Sequence, residues 1–168
     1  MQMNCDSINK LVKQLQTDRD ALVSRERRDS SYSYLVGESP IIPEYHFTTV
    51  QEQIDGYNQR IIALKHIVNE FNLRTELPGL GRTIDEALIR MAMLNSEKHK
   101  LERMRNATER SRETTMRGAS EVTVINYSLA DAQKRYKVIA AELKAIQQAL
   151  NIANLTLTME VPDSLVVG

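Results

Sequence analysis

Three histidines, His46, His66 and His99, and a single thiol, Cys5, are the side chains best suited to hold a transition metal. No histidine has a second one at i+4, and Cys5 has no cysteine companion, so ligands would have to converge from different helices. Surface or packing histidines are therefore the expectation, with no metal and no cofactor. Gly79-Leu80-Gly81-Arg82-Thr83 precedes a helix start, where free N–H groups and the helix dipole can hold phosphate. Gly81, Arg82 and Thr83 are accordingly a candidate anion site. No strand leads into it, and the phosphate-loop lysine and the dinucleotide glycine spacing are both missing, so a tight interhelical turn is the preferred reading. Carboxylates are scattered along helices, and no Ser/His/Asp or Cys/His set emerges from spacing. No catalytic residue is expected.

Lys98, His99, Lys100, Arg103, Arg105, Arg110, Arg112 and Arg117 form a basic run interleaved with Glu97, Glu102, Glu109 and Glu113. Several of these are at i,i+3 or i,i+4 spacing, the mark of a solvated face with weak ion pairs. The 22 basic and 22 acidic residues balance to a net charge of +0, so a dedicated nucleic-acid surface, which needs excess cations, is not expected. One cysteine excludes an internal disulfide framework; Cys5 is placed at an N-terminus expected to fray. No apolar run reaches the roughly 20 residues that span a bilayer, and no signal-peptide core is present, which makes the cytoplasm the expected location.

The elements that must position these residues are helical. Asp6 or Ser7 can cap a first helix to about Arg28, with Ile8, Leu11, Val12, Leu15 and Leu22 inward. Residues 30–45 break the pattern through Gly37, Pro40 and Pro43, and Tyr32–Val36 could pair as a short strand. Thr49 and Glu52 have capping-box spacing for a second helix to about Phe71 or Asn72. Thr83 and Glu86 form a second box, opening a helix to about Asn106. Residues 105–119 are indecisive, while 121–127 are β-branched and read as a strand. Ser128 caps a last helix to about Ala153, and 155–161 alternate apolar and polar as another strand would.

A sevenfold rhythm links the second and last helices. Val50, Ile54, Tyr57, Ile61, Leu64, Val68 and Phe71 step by 4 and 3. Leu129, Gln133, Tyr136, Ala140, Leu143, Gln147 and Leu150 repeat those steps 79 positions later. Such a stripe keeps one face of a helix on a partner helix. The expected fold is mainly α: two long antiparallel helical hairpins, as a four-helix bundle or coiled coil, with short β segments at the tips and C-terminus. Residues 1–168 are read as one helical domain, a pseudo-repeat of 1–79 and 80–168. Aromatics are only 5% of a chain that is 42% hydrophobic, so Leu, Ile, Val, Ala and Met must fill its core.

Residues 67–75 (Ile-Val-Asn-Glu-Phe-Asn-Leu-Arg-Thr) followed by 81–90 (Gly-Arg-Thr-Ile-Asp-Glu-Ala-Leu-Ile-Arg) carry a family resemblance. They resemble the helix end and the Gly-x-Thr-Leu-x-Glu-Ala-Leu-x-Arg start of the septicolysin-like family, small bacterial helical proteins. The strand at 121–127 before a last amphipathic helix also fits that family, whereas Ile8-Asn9-Lys10-Leu11 departs from its usual helix start. The resemblance implies a helical fold and, through the family's name, a cytolysin; it implies no catalytic residue.

These readings converge on a non-enzymatic, self-associating scaffold or interaction protein, expected to form homo-oligomers. Its expected contact residues are Tyr32, Tyr34, Val122, Val124, Tyr127, Leu155 and Leu157. A membrane-active, cytolysin-like protein is the alternative, although the helical faces lack the Trp and Lys-rich asymmetry of interfacial helices. An enzyme whose site forms between subunits is the third reading.

Overall fold

In a computed structural model, which describes residues 1–114 and 118–166, the chain is mainly helical with four short strands. In order these are β1 (Gln2–Asn4), α1 (Cys5–Asp29), α2 (Phe47–Arg74), α3 (Ile84–Arg105), β2 (Arg110–Thr114), β3 (Ser120–Val124), α4 (Leu129–Thr156), β4 (Thr158–Glu160) and α5 (Asp163–Val166). The chain divides into two compact units, residues 1–74 with 153–168, and residues 75–152. The C-terminal stretch thus belongs with the first unit.

In the first unit α1 and α2 lie side by side in opposite directions. Arg19 donates to Asn58 at 3.3 Å, and Glu26, seven residues on, accepts from Gln51, seven residues back, at 2.7 Å. Cys5, Ile8, Val12 and Leu15 of α1 bury against Ile61 and Leu64 of α2, with Met159 and Val161 completing the cluster. Burying a side chain of this kind is worth about 1.5–3 kcal/mol, so these few residues dominate the unit's stability. The N-terminus does not fray. β1 pairs antiparallel with β4, Met3 opposite Met159, and Cys5 lies buried directly after it. Burial pushes the Cys5 thiol upward, which makes it a packing residue and a poor nucleophile.

Several expected boundaries move. Asn4, and neither Asp6 nor Ser7, caps α1: its Oδ1 accepts from the Ser7 amide at 2.8 Å, and its Nδ2 donates to the Leu155 carbonyl at 3.0 Å. α2 starts at Phe47, so Thr49 lies inside the helix; Val50 N–H already donates to the His46 carbonyl at 3.1 Å. Tyr32–Val36 is irregular and pairs with no strand, ending in a turn where Glu38 N–H reaches the Leu35 carbonyl. α4 runs on through Leu155 to Thr156, leaving only Thr158–Glu160 as strand.

In the second unit α3 and α4 are cross-linked by long side chains, again in opposite directions. Arg90 pairs with Glu142, and Glu97, seven residues on, pairs with Arg135, seven residues back. α3 opens on the anticipated capping box, with Thr83 accepting from Glu86 N–H and Glu86 returning to Thr83 N–H. Ile84, Ala87, Leu94 and Leu101 are its buried side chains, and Lys98 between them is half-buried along its apolar stem. On α4 the buried stripe is Ala132, Ile139, Leu143, Ile146, Leu150 and Ala153, with Tyr136 half-buried among them. The stripe of Leu129, Gln133, Ala140 and Gln147 is thus corrected: Gln147 is exposed, and only Tyr136, Leu143 and Leu150 belong to both columns. Between α3 and α4, residues 110–114, unassigned from sequence, form a strand paired with β3.

Candidate interaction site

Two connecting segments, one in each unit, display exposed apolar side chains, while others such as Ile62, Leu73, Ile89, Met93 and Val138 stand singly along the helices. The first is the excursion between α1 and α2. Tyr32, Tyr34, Leu35, Val36, Ile41, Ile42 and Phe47 are all exposed, with Val36 at 103% and Ile41 at 92% of full exposure. The rings of Tyr32 and Tyr34 stack, centroids 6.3 Å apart. Pro40 and Pro43 remove backbone donors there, and Gly37 takes a left-handed φ of 98°, so the segment has neither helix nor ladder to enter.

This excursion is anchored at its return. Glu26 Oε1 accepts from the Tyr45 hydroxyl at 2.6 Å and from Gln51 Nε2 at 2.7 Å. The carboxylate beside it pushes the Tyr45 phenol up to about 12. A cleft of about 230 Å³ opens beside this anchor, lined by Arg25, Asp29, Glu44, His46 and Val50 among others. A neighbouring hollow of about 420 Å³ shares Leu22 and Gln53 with it. Mixed charges line the cleft, and the Glu26 carboxylate there is already engaged by Tyr45 and Gln51.

The second surface is the β2–β3 ribbon. Every residue of β3 and all but Ser111 of β2 are exposed. Arg110 lies opposite Val124 and Arg112 opposite Val122, so arginines and valines share one face. Glu113 opposes Glu121 on the other. Like charges directly across a ladder weaken it, and an isolated two-stranded ribbon is marginal to begin with. Tyr127, expected at this surface, instead turns inward, its hydroxyl donating to the Met104 carbonyl at 2.9 Å. Leu155 is exposed on the last turn of α4, while Leu157 is half-buried.

The remaining candidates are dispersed. Gly79 and Gly81 take left-handed φ values of 80° and 58°, and Leu77 N–H reaches the Arg82 carbonyl at 2.8 Å, which makes this stretch a tight turn. The Thr83 and Glu86 amides that a phosphate would use are engaged by the capping box, and Asp85 and Glu86 place negative charge in the first turn. Gly81 and Arg82 thus lie in the turn that leads into α3, and Thr83 is its N-cap. Arg82 instead borders a hollow of about 140 Å³ with Leu80, Ala87, Glu142 and Ile146. The basic run does not form one face. Arg105 is half-buried over the Tyr136 ring at 3.9 Å, Arg112 donates to Ser120 Oγ, and Arg117 lies outside the described residues. His46, His66 and His99 are exposed and far apart in sequence, and among the described residues no three His, Cys, Asp or Glu side chains group as a metal would need. No described helix is long and apolar enough to cross a membrane.

Compared with known proteins, the chain matches no family model, no curated protein and no solved structure.

Proposed function

We propose that the protein is a non-enzymatic, self-associating helical scaffold or interaction module, built as two antiparallel helical hairpins of the septicolysin-like kind and working in the bacterial cytoplasm. One observation carries this reading: large apolar side chains stand in solvent on connecting segments, at Leu35, Val36, Ile41 and Ile42 and again at Val122 and Val124. A solitary soluble chain loses free energy by such display, about 25 cal/mol for each Å² of apolar surface left in water, whereas an interface recovers it. Oppositely directed α1 and α2, and α3 and α4, support the hairpin description, with the stripes closing as a bundle or coiled coil. Light scattering on the eluting peak of a size-exclusion column tests the proposal. An associated mass at micromolar concentration is expected, and a strictly monomeric 19.2 kDa overturns it.

The membrane-active alternative draws on the same excursion, where the exposed Tyr32 and Tyr34 lead into an apolar turn, as aromatics do at membrane interfaces. Its charges weigh against it: Glu38 and Glu44 stand within the segment, which repels anionic lipid. Dye release from anionic vesicles would replace the scaffold reading with this one.

A further inference from the structure

We infer that the outer edge of β3 is the contact through which two copies of this chain join, antiparallel about Val122, to make one four-stranded sheet. The inference deepens the self-association reading and rests on it.

Hydrogen-bond parity identifies which groups are offered. Ile125 N–H donates to the Glu109 carbonyl at 3.2 Å, and the register pairs Arg110 with Val124 and Thr114 with Ser120. Bonded and non-bonded pairs alternate along an antiparallel ladder, so Glu121 and Thr123 turn their N–H and C=O toward β2. Ser120, Val122 and Val124 turn theirs outward. Among the described residues the sheet holds only β2 and β3, so no strand meets that edge.

Charge then selects β3 over β2. A twofold axis perpendicular to the sheet keeps each face on its own side, so paired residues must have an even sum. On β2 such registers set Arg112 opposite Arg112, Arg110 opposite Arg112, or Glu113 opposite Glu113 of the second copy, all repulsive. That edge is guarded by its own charges, as solvent-facing edges commonly are. On β3 the axis through Val122 sets Ser120 opposite Val124, Val122 opposite Val122, and Glu121 opposite Thr123 of the second copy. No like charges meet. All three outward residues become bonded pairs, each exchanging two N–H···O=C bonds, about six in total. The centre of one face becomes four valines, with Arg110 and Arg112 of each copy at its margins. A marginal ribbon of two strands becomes a sheet of four with an apolar centre on one face, past the three strands at which sheets gain stability of their own.

The test uses the full chain. Val122→Pro removes an outward N–H that the β2 ladder does not use, a position where an edge strand accepts proline. The expected result is an unchanged far-ultraviolet dichroism spectrum and a concentration for half-association raised about tenfold or more, as two lost bonds imply. Val122→Cys supplies an independent reading. Its two Cα atoms would lie about 5.5 Å apart across the axis, within disulfide reach. Mild oxidation is then expected to yield a reducible covalent dimer, which Thr123→Cys, displaced along the strand, does not give. Association of the unaltered chain that persists undiminished in Val122→Pro, with no cross-link in Val122→Cys, overturns this edge and leaves self-association standing. An unaltered chain that stays monomeric overturns both.

Discussion

Arg90 and Glu142 meet as a two-point pair, Nε to Oε1 at 2.7 Å and a terminal guanidinium nitrogen to Oε2 at 2.8 Å. The bond from Arg90 is the main reason the Glu142 carboxyl sits below its ordinary range, with the charges of Arg90, Arg82 and Arg135 adding to it against desolvation. A depressed folded value contributes stability above the unfolded value of about 4.3, and that contribution is lost as pH falls through the folded value. Each partner is about one-third exposed, at 32% and 33%, so solvent screens the pair and its contribution to stability is small. Glu142→Gln is expected to lower the urea midpoint slightly at pH 7 and to converge with the unaltered chain as pH falls through the folded Glu142 value. Urea unfolding at stepped pH checks it.

The Glu26 anchor has the opposite pH sense. Tyr45 raised to about 12 means that its hydrogen bond is intact below the unfolded value of about 10 and is lost as pH rises through the folded one. Spectrophotometric titration is expected to show a tyrosine ionising near 12, and Glu26→Gln should return it to the ordinary range. An unchanged titration in that variant would remove Glu26 as the cause.

Leu64 is fully buried between α1 and α2, and its truncation opens a cavity beside Ile8 and Leu15. Leu64→Ala is expected to cost about 2–5 kcal/mol in denaturant unfolding followed by dichroism. A loss below 1 kcal/mol would show that the seam is not packed as described.

Asn4 does two jobs that substitution separates. Asn4→Asp keeps the acceptor for Ser7 N–H but discards the donor to Leu155, whereas Asn4→Ala loses both. The alanine variant is expected to lose about 1 kcal/mol and the aspartate variant less, by thermal unfolding.

The exposed excursion should separate folding from association. Val36→Ser with Ile41→Ser is expected to change stability by no more than about 0.5 kcal/mol, since neither side chain is packed. The same pair should raise the concentration at which chains associate, read by light scattering.

Local signals were legible in the sequence, and non-local ones were not. The Thr83–Glu86 box needs only its own four residues, and it forms as read. The Thr49–Glu52 spacing is identical, yet α2 begins earlier because Tyr45 and Gln51 are tied to Glu26, nineteen and twenty-five positions back in the chain. On α4, Tyr136, Leu143 and Leu150 fit two heptad columns at once. The column with Ile139 and Ile146 wins, since burying Gln133 and Gln147 instead would leave their amides in need of partners. β2, with three charges in five residues, has no strand signature of its own and exists through its pairing with β3. Of the candidate contact residues, Tyr32, Tyr34, Val122, Val124 and Leu155 lie exposed, but Tyr127 was drawn inward by a carbonyl that no sequence pattern reveals.

Gln2 finds its mate in Glu160. During synthesis, at about 5–20 residues per second, the opening strand therefore waits roughly ten seconds or more before its counterpart leaves the ribosome. Throughout that interval Cys5, Ile8 and Val12 lack the Met159 and Val161 that later cover them, and a nascent chain stalled before residue 159 would offer that greasy patch to chaperones.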